Sequence, residues 1–148
     1  MEKWTPLNNT SILNSSTNNN FKFRRNSSDS SGGIKGLILN DGFNRRDEDI
    51  YLTLATVTAI SGAKIRLYGP GTQFKEMIGN GEAKRLGVIN KIDTDIDPTE
   101  IYTYPRIIDV SETDYIGDVS VKDVNIFNLT RMFGNSVANN LYNSYATD

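Results

Sequence analysis

The 148 residues predict a mainly β chain: a small antiparallel β-barrel or sandwich carrying an extended N-terminal arm and a C-terminal helical segment. Three observations lead there. Asp49–Pro70 is rich in β-branched residues in alternating order, which favours strand over helix. Further short apolar runs, bounded by Gly, Pro and Asn, follow at spacings typical of small all-β domains. From Ile126 the apolar period changes from two to three or four, as in a helix.

Taken in order, Met1–Gly33 is crowded with Asn and Ser and poor in large apolar side chains. Such a tract buries too little apolar surface to offset its ordering entropy, which predicts an arm over residues 1–33. Its apolar residues Trp4, Leu7, Ile12, Leu13, Phe21 and Phe23 are spaced like anchors, so they are expected to dock the arm on a partner. A β domain is expected over residues 34–124. It opens with a short strand at Ile34 that ends in the Asn40-Asp41-Gly42 turn signal, and a solvated connector leads on from Arg45 to Asp49. Asp49–Pro70 reads as a β-hairpin turning at Ser61-Gly62, with the turn type open. In that register Leu52, Leu54, Ile60, Ala63, Ile65 and Leu67 share one side, and Tyr51, Thr53, Val57, Lys64, Arg66 and Tyr68 the other.

Gly69-Pro70-Gly71 and Gly79-Asn80-Gly81 then bracket Thr72–Ile78, expected as one helical turn or a loop. A glycine-bounded insertion at a strand end is where β domains commonly place contacts, which marks Phe74 and Met77. Glu82–Ile92 returns as a strand bent at Gly87, and another run holds Pro105 at an edge or bulge. A last strand surrounds Val119 and Val121. Residues 125–148 read as an amphipathic helical tail in which Ile126, Leu129, Phe133, Val137, Leu141 and Tyr145 form a stripe, with Gly134-Asn135 as a possible break. That stripe is expected to pack on the sheet, while Phe133 and Tyr142 are candidates for partner contact.

Chemistry is sparse. The chain has no Cys and no His, which excludes disulfides, thiolate nucleophiles, imidazole bases and most zinc or haem ligation. Asn90-Lys91-Ile92-Asp93 matches the guanine-reading NKxD tetrapeptide, yet no phosphate-cradling P-loop precedes it. Asp93, Asp95, Asp97 and Glu100 have carboxylate spacing that suggests calcium, but Pro98 and Tyr104 occupy the positions where an EF-hand needs Gly and Glu. An irregular cation loop stays open there. Glu76, Glu82, Glu100 and Glu112 supply the carboxylates for a hydrolase only if two of them converge. No catalytic, cofactor-binding or metal residue is assigned, no cofactor is expected, and the chain is read as a non-enzyme.

The net charge of −2 leaves no overall footprint for nucleic acid or an anionic membrane. The opening MEKWTPLNN lacks a signal-peptide profile and no apolar run reaches membrane-spanning length, so no membrane partner is expected.

Ala55–Ile60, the Ser61-Gly62 turn, Lys64–Gly69 and the later Lys84-Arg85-Leu86 resemble the opening hairpin and following strand of small β-barrel tail, baseplate or neck proteins of tailed bacteriophages. The resemblance covers Ala55–Leu86 and departs at Gly69-Pro70-Gly71, where those proteins carry an acidic residue. It implies a structural virion protein: a subunit of a neck, tail or head-accessory assembly, forming homo-oligomers and contacting other virion proteins through arm and tail. Assembly would take place in the host cytoplasm, with no small-molecule substrate and no nucleic acid as partner. The alternative is a β-barrel binding module for single-stranded nucleic acid or glycan, with Tyr51, Tyr68, Lys64 and Arg66 on one face as its platform.

Overall fold

A computed structural model describes residues 3–7, 9–17, 20–27, 31–37, 48–92 and 105–147. Among the described residues ten strands are assigned: β1 (Lys3–Pro6), β2 (Thr10–Thr17), β3 (Asn20–Arg25), β4 (Gly32–Leu37), β5 (Ile50–Ala59), β6 (Lys64–Tyr68), β7 (Phe74–Ile78), β8 (Lys84–Lys91), β9 (Arg106–Asp109) and β10 (Val119–Asn128). Helices α1 (Leu129–Phe133) and α2 (Asn135–Thr147) follow, and a 3-10 turn spans Thr113–Tyr115. The strands form two five-stranded sheets, in the orders β1-β4-β9-β6-β7 and β2-β3-β10-β5-β8. Every pairing is antiparallel. Of the two expected architectures, the sandwich is the one adopted.

The core lies between the sheets. The first supplies Trp4, Ile34, Ile65, Leu67, Met77 and Ile107; the second supplies Phe21, Phe23, Ala55, Val57, Ala59, Val88, Val119 and Val121. Ala55 and Ala59 share this core with the rings of Trp4, Phe21 and Phe23, and the Trp4 and Phe21 rings lie 5.4 Å apart.

Where an arm was expected, the chain forms β1, β2 and β3. The reason lies in local alternation: in Asn20–Arg25, Phe21, Phe23 and Arg25 point inward while Asn20, Lys22 and Arg24 face solvent. Thr10, Arg25 and Ser111 knit this end together. The Thr10 hydroxyl accepts from Gly33 N at 2.7 Å, and the buried Arg25 guanidinium donates to the carbonyls of Asp109, at 3.2 Å, and Ser111.

The expected hairpin is also corrected. A turn does form at Ser61-Gly62, with Ala63 N donating to Ile60 O at 3.1 Å and Gly62 at φ 88°, but β5 and β6 enter different sheets. β5 pairs with β8 and β10, and β6 with β7 and β9. Tyr51, Thr53, Ala55, Val57 and Ala59 are the buried, inward set on β5, while Leu52 and Leu54 lie on the opposite, partly buried face. Periodicity misread this strand because its first half is covered on both sides: Ile50 and Leu52 pack with Ile89, Leu129, Ala138 and Tyr142 from the helical end. The segment Thr72–Ile78 contributes an edge strand, β7, instead of a helical turn.

In β10 the register shifts between Lys122 and Asn125, with Asp123 at φ 55°; this bulge sits just before the strand's last stretch along β5. Asn128 caps α1 by accepting from Arg131 N at 3.0 Å, and Gly134, at φ 86°, breaks the helix. That break alters which side of the tail is buried. Leu129 and Ala138 are buried with Tyr142 beside them and Tyr145 packs against the main core, whereas Phe133, Val137 and Leu141, expected on the packed stripe, are exposed.

Candidate functional site

On the outer face of the first sheet, alternation projects Lys64, Arg66 and Tyr68 from β6 and Phe74, Glu76 and Ile78 from β7. Cross-strand pairing sets Tyr68 opposite both Phe74 and Arg106, and Arg66 opposite Glu76. The rings of Tyr68 and Phe74 lie 5.0 Å apart at 45°. The Arg106 guanidinium sits 4.1 Å above the Tyr68 ring and that of Arg66 4.4 Å above Phe74, both within cation–π range. Arg66 donates to Glu76 at 2.7 Å, and this bond, with a lesser one to the Tyr68 hydroxyl, raises the guanidinium pKa further above its ordinary range. Arg106 is buried and donates to Gly71 O at 2.9 Å, tying the loop between β6 and β7 to the strand beneath. Phe74 stays 41% exposed.

The result is a fixed aromatic pair edged by planar charged groups. Aromatic rings attract polarised C–H groups to their electron-rich faces, while guanidinium and carboxylate make strong, directional hydrogen bonds to hydroxyls.

That loop, Gly69–Gln73, is packed tightly against β8. A Cβ on Gly69 would lie 2.0 Å from Asn90 Oδ1, and buried Asn90 donates to Gln73 O at 3.2 Å. Asn90 is thus a structural tie between β8 and this loop, while Asp93 of the NKxD match lies outside the described residues. On the far side of the loop, Gln73 Nε2 donates to the Tyr142 hydroxyl at 3.0 Å, and Lys91 pairs with Glu48 at 2.8 Å.

The residues singled out from the sequence do not gather into one surface. Trp4, Phe21, Phe23 and Met77 are core residues; Ile12 packs against the core and Leu7 is half-buried. Leu13 and Phe133 are exposed, on β2 and α1 respectively, and Tyr142 leans on the helical cluster. Phe74 alone of the ten joins the aromatic face. Of the four-residue platform, Tyr68, Lys64 and Arg66 share that face, but Tyr51 is buried in the other sheet and its hydroxyl accepts from Asn128 Nδ2 at 3.1 Å. Glu76 lies on β7, Glu82 in the turn before β8 and Glu112 just ahead of the 3-10 turn. Asp93, Asp95, Asp97 and Glu100 fall outside the described residues. Arg106 and Gln73 were not legible as site residues: an Arg next to Pro105 in an apolar run carries no signal of the ring it covers.

No protein-family model matches the sequence, and no curated protein does. Solved structures do match in fold. A CBM4 structure aligns at TM-score 0.55 and 11% identity, over 84% of this chain and 93% of that one. The N-terminal cellulose-binding domain of Cellulomonas fimi β-1,4-glucanase C aligns at TM-score 0.51 and 12% identity, over 84% and 88%. An arabinose-bound MgGH51 α-L-arabinofuranosidase aligns at TM-score 0.53 and 12% identity, over 84% of this chain, which spans only 23% of the enzyme's length. These matches overturn the expectation of a virion structural protein with virion partners and no small-molecule substrate: the fold is shared with a CBM4 and with a cellulose-binding domain. The hairpin on which the phage resemblance was drawn is not formed.

Proposed function

We propose that this chain is a non-catalytic glycan-binding domain that holds its ligand on the outer face of the first sheet. The observation that carries the reading is the Tyr68–Phe74 ring pair, exposed at Phe74 and edged by Arg66, Arg106 and Glu76. The rings offer faces to the C–H patches of a sugar, and the charged groups offer both donors and acceptors to its hydroxyls. The fold likeness to a CBM4 and to a cellulose-binding domain supports the same reading, although fold by itself does not fix function. The single-stranded nucleic acid version has less support, because Glu76 neutralises Arg66 and the chain as a whole is acidic.

Native gel electrophoresis through xylan, mixed-linkage β-glucan, hydroxyethylcellulose and pectin tests the reading. Retardation by at least one polysaccharide, reduced in Phe74→Ala, is expected. Unaltered migration in all four, together with no retention on insoluble cellulose or chitin, refutes it.

A further inference from the structure

We infer that the cleft at the helical end of the sandwich is a second ligand site, shaped for a neutral saccharide of one to three rings. It lies beyond the aromatic face and does not depend on the function proposed for that face. A cavity of about 500 Å³ opens between the start of β5, the end of β8 and the α1–α2 junction, lined among others by Glu48, Asp49, Lys91, Arg131, Asn135 and Asn139. A second, of about 250 Å³, shares Glu48 and Lys91 with it and continues to the Gly71–Gln73 loop and Tyr142. Together they fall in the size range of small-molecule sites.

The chemistry of the lining selects the ligand. Among the described residues that line the larger cavity, two carboxylates and two cations balance, and these favour no net charge on its occupant. Lys91 Nζ stands 2.8 Å from the Glu48 carboxylate and 3.5 Å from Asn139 Oδ1, which places donors and acceptors alternately along the cleft. Vicinal hydroxyls, each donating once and accepting twice, match such an alternation. Gln73 closes the far end of the smaller cavity, its Nε2 donating to the Tyr142 hydroxyl at 3.0 Å. Glu48 is moreover held at φ 71°, a region a non-glycine residue adopts rarely and mostly at sites where neighbours impose it.

The test is a titration of the ¹⁵N-labelled protein with cellotriose, xylotriose, glucose and glucuronate, following backbone amides and the Asn and Gln side-chain amides. A neutral saccharide should saturably shift Lys91, Gln73 and the Asn139 side chain. Lys91→Met and Asn139→Leu should each weaken that response at least tenfold while leaving any response at Tyr68 and Phe74 unchanged, with melting temperature confirming that both variants fold. Shifts confined to Tyr68 and Phe74 would overturn the cleft while sparing the proposed face. Cleft shifts that neither variant alters, or glucuronate binding tenfold more tightly than glucose, would overturn it too. Absence of any shift with every probe counts against both sites.

Discussion

Phe23→Ala tests whether the Asn/Ser-rich N-terminal segment is part of the folded body. Phe23 is fully buried between the sheets, on a strand paired to β2 and β10. A buried phenylalanine removes roughly 150 Å² or more from water, worth about 4 kcal/mol at about 25 cal/mol/Å². Truncation to alanine therefore costs about 3–5 kcal/mol, the range seen for such core deletions. With a urea m-value of about 2 kcal/mol/M, the unfolding midpoint falls by about 2 M. Leu13→Ala is the matched control: on the same segment but 47% exposed, it should change stability by no more than about 0.5 kcal/mol. A chain starting at residue 34 should not fold, since the second sheet would lose β2 and β3 and bare the β10 edge. If Phe23→Ala unfolds within about 1 kcal/mol of the parent, or the truncated chain keeps the parent midpoint, the strand assignment of this segment fails.

Gly69→Ala puts a methyl group 2.0 Å from Asn90 Oδ1 and 3.1 Å from Thr53 Oγ1, so calorimetry should show a loss of about 1–3 kcal/mol together with shifted resonances in the Gly69–Gln73 loop. Arg25→Met leaves the carbonyls of Asp109 and Ser111 without their buried donor and should cost about 2–4 kcal/mol by chemical denaturation. Burial raises the Tyr145 pKa, against a smaller lowering by its backbone hydrogen bond with Ile89. The folded state thus holds this proton more tightly than the unfolded chain, so the contribution is complete below about pH 10 and lost as pH climbs above it. Tyr145→Phe should accordingly flatten the fall in melting temperature above pH 10, and an unchanged slope would contradict the assignment.

The β class was legible because β-branched runs such as Ile50–Ala59 and Lys84–Lys91 alternate in a way only strands satisfy. The position of the Ser61-Gly62 turn was legible as well. Its role was not, since a hairpin and a crossing between facing sheets use the same local chemistry, and Leu52 and Leu54 are apolar for a different reason from Ala55 and Val57. Composition outweighed alternation at the N-terminus: Phe21, Phe23 and Arg25 carry a clean period of two inside a tract whose Asn and Ser content suggested disorder. The buried Arg25 concealed that pattern further, because its charge is accommodated by distant carbonyls of residues 109 and 111. Half of the aromatic face was readable as Lys64, Arg66 and Tyr68 on one strand side. Its completion by Phe74 and Arg106, and the whole of the Glu48–Lys91–Asn139 cleft, depend on sheet order and helix placement that no local pattern encodes.

Isothermal titration with the polysaccharide fragment that retards the protein most strongly tests the central claim most directly, comparing the parent with Phe74→Ala and Tyr68→Ala. Each substitution should weaken binding at least tenfold, while Phe133→Ala, also an exposed ring but on α1, leaves it unchanged. Equal affinity in all four proteins would contradict binding at the Tyr68–Phe74 face.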